Sequence, residues 1–235
     1  MIFITKLNTT GTAILSSTYI GGSANDGINT AFGLAYNHGD EYRGEIILDN
    51  SGSCYVVSTT NSTNFPVVGG SGSKGGFSDA VTFKLNSNLS NLQWSSYFGG
   101  VGNDAGYGLD RDASGNIFIT GGTMSSSIDN KSNTYNGSVD GFLAKYNSSG
   151  IIQTSRYIGT GSYDQSYFVQ VDVSDDVFVL GQSLDSMTIT PGKYSNIGSH
   201  QFIQKFNNTL STLEFGTTIG SAGSSVDFSP TAFYI

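Results

Sequence analysis

The residues that could do chemistry are few, and most of them fall in columns. Asp49, Asp112 and Asp172 each open a short stretch that reads Asp-x-Ser-Gly or Asp-x-Ser-Asp. Asp26, Asp104 and Asp164 each follow a glycine (Gly21, Gly99, Gly159) by five residues. Carboxylates can hold a hard cation or work in pairs as acid and base. Gly99-Gly100-Val101-Gly102-Asn103-Asp104 even fits the Gly-Gly-x-Gly-x-Asp calcium pattern, but that pattern works by tandem nonapeptide repetition, so that successive turns share an ion. Here the copies lie 60 to 78 residues apart. One carboxylate at one position per copy reads instead as a turn cap: Asp accepts backbone N–H groups, and glycine three residues on supplies φ > 0. Asp49, Gly52, Asp112, Gly115, Asp172 and Asp175 are therefore assigned as structural turn residues, with Asp175 in place of the glycine. His38 and His200 are the only histidines. No paired-histidine metal motif and no Ser/His/Asp spacing occurs. Asp110 and Arg111 are the only reactive-looking pair on a strand, and they stand alone. No catalytic residue, metal site or cofactor is predicted.

The elements that must carry these columns repeat. Lys6, Lys84, Lys145 and Lys205 are spaced 78, 61 and 60 residues apart, and Gly21, Gly99, Gly159 and Gly220 are spaced 78, 60 and 61. Two columns with one rhythm mark a repeat architecture. Each full copy holds four alternating apolar segments, A to D. In the last copy these are Tyr167–Asp172, Val177–Gly181, Phe202–Phe206 and Leu213–Ile219. Alternation of this kind is a strand signal, and no stretch has a helical period. The A–B and C–D connections are short; the B–C connections are long, and the first D–A connection carries about 15 extra residues, near 28 to 43.

A four-stranded sheet with two apolar faces cannot stand alone, and radial stacking of copies covers both faces. The sequence thus predicts an all-β chain, a β-propeller of four-stranded antiparallel blades. The expected division is strands C and D of one blade at 1–22, a blade with the D–A insertion at 23–98, blades at 99–158 and 159–219, and the first strand of a further blade at 220–235. Strands cut off mid-blade at both ends predict an incomplete propeller, a piece of a longer protein whose flanking blades are partners. The chain has 235 residues and a net charge of −8, which argues against nucleic acid and an anionic membrane surface as partners. No apolar run is long enough for a membrane helix.

Tyr97-Phe98-Gly99-Gly100, Asn103-Asp104, the run Asp112-Ala113-Ser114-Gly115-Asn116-Ile117-Phe118-Ile119-Thr120-Gly121, Asn61-Ser62-Thr63-Asn64-Phe65-Pro66 and Asp79-Ala80-Val81-Thr82-Phe83-Lys84 resemble the bacterial seven-bladed β-propeller (SBBP) repeat family. The resemblance covers nearly the whole chain, although Ser199-His200-Gln201 departs from the pattern at the last strand C. The end, Asp227 to Phe233, resembles large surface proteins of Bacteroidota, which often carry gliding-motility-type sorting domains. The resemblance implies a secreted or cell-surface location, and a structural or binding role without catalytic residues.

Loops held by a rigid scaffold are where recognition residues sit. With D–A and B–C loops placed on one face, the expected binding residues are Asp40, Tyr42 and Arg43 of the insertion, Phe65 of the first B–C loop and Tyr135 of the second. The expected role is a non-catalytic binding or scaffold module, contacting protein or glycan. The alternatives are a propeller-fold carbohydrate-active enzyme (lyase or glycosidase) and a spacer without ligand. Cys54 reads as a buried apolar residue, Trp94 as packing or a sugar platform, and the lysine column as snorkelling to solvent. The Asn-x-Ser/Thr triplets, among them Asn8, Asn147 and Asn207, follow from composition and imply no glycan.

Overall fold

The computed structural model describes residues 1–223, 225–226 and 229–235. Among them are fourteen strands in four antiparallel sheets and one 3-10 turn, Asp40–Tyr42. Sheet I pairs β1 (Ile2–Leu7) with β2 (Ile14–Ile20). Sheet II is β3 (Glu45–Leu48), β4 (Cys54–Thr60), β5 (Asp79–Leu85) and β6 (Leu92–Phe98). Sheet III is β7 (Asp104–Arg111), β8 (Ile117–Thr123), β9 (Asp140–Tyr146) and β10 (Ile152–Ile158). Sheet IV is β11 (Asp164–Val171), β12 (Val177–Ser183), β13 (Gln201–Phe206) and β14 (Leu213–Ile219). Each is a meander with hydrogen-bonded neighbours in chain order.

Short turns with fixed chemistry set the hairpins. Asp49 Oδ1 accepts from Ser51 N and Ser53 N, and Asp172 Oδ1 accepts from Ser174 N and Asp176 N. Gly52, Gly115 and Asp175 take φ of 79°, 82° and 64°, the left-handed region that the turn requires. The C–D turns use asparagine the same way: Asn8, Asn86 and Asn207 each accept two backbone N–H groups four and five residues on. Asn147 accepts from Ser149 N and Ile151 N. Three of the Asn-x-Ser/Thr triplets are thus turn caps.

The sheets stack face to face in chain order. Ile4 and Ile20 of sheet I pack with Val56, Val81 and Phe83 of sheet II. Tyr55, Val57, Trp94 and Phe98 of sheet II pack with Ile117, Ile119, Phe142 and Tyr146 of sheet III. Phe118, Leu143 and Ile158 of sheet III pack with Val169, Val179, Phe202 and Phe206 of sheet IV. Strands β4 and β8 are buried at every position, because both their faces are covered. Cys54 and Trp94 are core residues.

Two differences from expectation concern placement. The B–C loops meet the D–A loops at one end of the sheets as expected, Ser23 N donating to Asn64 Oδ1 (2.9 Å) and Met124 N to Asn103 O (2.8 Å), but they do not stay there. Each runs along the outer strand of its own sheet: Ser95 N donates to Val68 O, Ser155 N to Asn130 O (both 2.9 Å), and Thr190 N to Gly216 O (2.8 Å). A bare outer strand would expose unpaired backbone groups, and the loops cover them. The strand expected within 220–235 includes Asp227 and Phe228, which lie outside the described residues. Its described residues, 229–235 included, form no strand.

Candidate functional site

The insertion after β2 is a compact plug rather than a free loop. Asn29 N donates to Glu41 O (2.7 Å) and closes it at its neck. Leu34 and Ala31 are buried with Ala105, Tyr107, Val139 and Tyr167. The tyrosines come from β7 and β11, the first strands of sheets III and IV. In both strands the β-ladder slips, between Gly106 and Gly108 and between Ser166 and Phe168, so Tyr107 and Tyr167 are bulged residues. A bulge re-aims its side chain, and the two rings stack 5.6 Å apart.

Polar partners fix the plug in place. Tyr107 Oη donates to Leu34 O (2.5 Å) and accepts from Asn29 Nδ2 (3.0 Å). Tyr167 Oη donates to Gln165 Oε1 (2.6 Å) and accepts from Asn37 Nδ2 (2.8 Å). Asp40, fully buried, accepts from Asn37 N and pairs with Arg43 Nε at 2.7 Å. Arg43 lies over the Tyr167 ring, 4.5 Å from its centroid, and Arg43 Nη2 donates to Pro230 O (2.6 Å). Burial holds the Tyr107 and Tyr167 hydroxyls well above the ordinary phenol range.

The five expected binding residues therefore separate. Asp40 and Arg43 anchor the plug: Asp40 is fully buried, and Arg43, partly exposed, is held between Asp40 and the Tyr167 ring. Phe65 is a core residue: it packs on Phe83 and Tyr97, and Phe65 N donates to the Tyr97 hydroxyl. Tyr135 is half-buried, edge-on to Tyr157 at 5.5 Å, with its hydroxyl pushed up to about 12 by burial first and by the Asp140 charge second. Tyr42 alone is well exposed. The plug also presents Phe32, 98% exposed, and Tyr36, whose ring is tilted against Tyr163 at 4.8 Å. Phe32, Tyr36, Glu41, Met124, Ser138 and Tyr163 border a cleft of about 620 Å³. No alternation or turn signal marks Phe32 or Tyr36. The recurring tyrosine of strand A, Tyr107 and Tyr167, was the one sequence signal that something must pack against it.

The carboxylate columns serve the backbone. Asp26, Asp104 and Asp164 accept from Gly22 N, Gly100 N and Thr160 N at 2.7–2.9 Å, each capping its own D–A turn. Asp104 also accepts from the Thr123 and Ser125 hydroxyls; its burial still raises its carboxyl to about 7. Burial likewise raises Asp79 and Asp140 to about 6. Glu45 Oε2 accepts from Leu109 N (2.7 Å) and Asp110 Oδ2 from Val171 N (2.8 Å), so each carboxylate covers the free edge of the first strand of the next sheet. Asp110 is thus structural. The lysine column is not simply solvated. Lys84 reaches Asp49 (3.4 Å), Lys145 reaches Asp112 (3.9 Å) and Lys205 reaches Asp176 (2.5 Å), and each ammonium lies 4.7–5.5 Å from the ring centroid of Tyr55, Phe118 or Phe178. His38 is exposed, while His200 is buried, its ring nitrogens 2.7 and 2.8 Å from Ser183 O and Gly223 O.

No family model matches the chain, and none of the curated proteins matches it either.

Proposed function

We propose that this chain is a non-catalytic binding module built as part of a β-propeller, in a secreted or surface-exposed bacterial repeat protein of the seven-bladed type. It engages a protein or glycan through the plug face. The stacking of four-stranded sheets in chain order, with inner strands β3, β7 and β11 in contact, supports the radial arrangement. The observation that carries the binding reading is the plug itself. Phe32, Tyr36 and Tyr42 are exposed aromatics on a segment anchored by the Asp40–Arg43 ion pair and two tyrosine hydroxyls. Rigid aromatics offer contact area at little entropic cost. The carboxylates of the inner strands are engaged by backbone N–H groups, which suits a scaffold better than an acid–base pair.

The test is a glycan array and a surface-protein pull-down with the chain, followed by the Phe32→Ala/Tyr36→Ala double variant. Both side chains are exposed enough that folding should be unaffected, and affinity should fall about tenfold or more. Retained affinity in the double variant would sink the assignment of this face.

A further inference from the structure

We infer that the free edge of β1 is an acceptor for one extended antiparallel strand, and that this strand carries an aromatic residue opposite Lys6 and a glycine opposite Phe3. Among the described residues β1 pairs only with β2. Its other edge faces a groove of about 570 Å³ bordered by Met1–Thr5, Gly44–Ile46 and Val56–Ser58. Unpaired backbone groups beside an apolar groove are the elements of strand addition.

The chemistry of the occupant is written twice in this chain. The ladder of β1 with β2 sets Phe3 opposite Tyr19 and Lys6 opposite Ser16, with a bulge after Lys6. The β9–β10 and β13–β14 ladders repeat it: Phe142 and Phe202 match Phe3, and Lys145 and Lys205 match Lys6, each followed by the same bulge. In those two sheets the other edge of the strand is filled. Phe118 lies opposite Lys145 and Gly121 opposite Phe142. Phe178 lies opposite Lys205 and Gly181 opposite Phe202. Sheet II keeps the aromatic, Tyr55 opposite Lys84, but pairs Ser58 with Val81. The glycine thus goes with the phenylalanine. The reason is steric: a Cβ on Gly121 would sit 2.9 Å from the Phe142 ring, and one on Gly181 2.3 Å from the Phe202 ring. The carbonyls of Ala105 and Gln165, 1.9 and 2.4 Å away, form the other wall. Phe3 is 58% exposed and Lys6 is exposed, whereas Phe142 and Phe202 are fully buried.

A labelled peptide with the sequence of residues 116–123, Asn-Ile-Phe-Ile-Thr-Gly-Gly-Thr, added to the full chain and followed by fluorescence anisotropy, tests this. Saturable binding is expected. Replacing the first glycine of the peptide by valine should weaken binding about tenfold to a hundredfold through overpacking against Phe3, even though valine favours strands. The Phe3→Val variant of the chain, altered at an exposed site, should accept the valine peptide nearly as well as the glycine peptide. Replacing the peptide phenylalanine by serine should also weaken binding, through loss of the contact with Lys6. No saturable binding, equal binding of a scrambled peptide, or equal binding of the glycine and valine peptides to the unaltered chain would each overturn the inference.

Discussion

A carboxylate in this chain is defined by what surrounds it, not by its column. Asp49 and Asp112 accept several hydrogen bonds, which hold them below the usual carboxylate range against the opposing effect of burial. Asp104 accepts comparable bonds, yet its deeper burial wins and raises it to about 7. The two groups act oppositely on stability. A raised folded-state value means that the folded protein holds a proton which the unfolded chain has released, so this contribution is full below pH about 4 and is lost as pH rises through about 7. The melting temperature is expected to fall between pH 4.5 and 8. Asp104→Asn, which is neutral throughout, should flatten that fall, and a slope unchanged by the substitution would show that Asp104 does not titrate there. The same contrast explains what the sequence could show. Asp49 and Asp112 are legible as turn caps because a turn is local. That Asp40 is buried and paired while Tyr42 is exposed is not, because nothing within the insertion states which side faces Tyr167.

At the scale of the strand, glycines that look alike in sequence differ in consequence. A Cβ on Gly121 would meet the Ala105 carbonyl at 1.9 Å, between two paired strands. Gly192, with φ of 77°, has nothing within 4 Å. Gly121→Ala is expected to destabilise by about 3 kcal/mol, because the ladder must part or the Phe142 ring must move. Gly192→Ala should cost about 1 kcal/mol, from backbone strain alone. Urea midpoints at constant slope would measure both, and equal costs would refute the steric account. The B–C loops show where strand-level reading runs out. Their length was evident, but their course along β6, β10 and β14 follows from backbone groups on those outer strands, a need invisible in the loop's own residues.

At the scale of the molecule, the buried clusters among the described residues join each sheet to its neighbours in chain order. Stability in such a stack is close to a sum over sheets and the interfaces between them. Phe118 is fully buried between sheets III and IV. Phe118→Ala should cost about 3–5 kcal/mol. Hydrogen exchange should show protection lost first in sheets III and IV, while sheet II, held by its interfaces with I and III, keeps more. Uniform loss across all four sheets would mean a single cooperative core instead. The plug complicates the sum, since Leu34, Asn37 and Arg43 tie the insertion to both β7 and β11.

The sequence by itself determined the strands, their grouping in fours, the hairpin turns and the common register. These depend on alternation and on turn chemistry that acts within a few residues. Only the tertiary structure decided that the insertion is a plug, that Phe65 and Asp40 are interior, that Lys84 and Lys145 meet Asp49 and Asp112, and that Phe3 lies bare where Phe142 and Phe202 are covered. Those outcomes depend on which face of one sheet meets the next, and contacts between residues tens of positions apart leave no mark on local spacing.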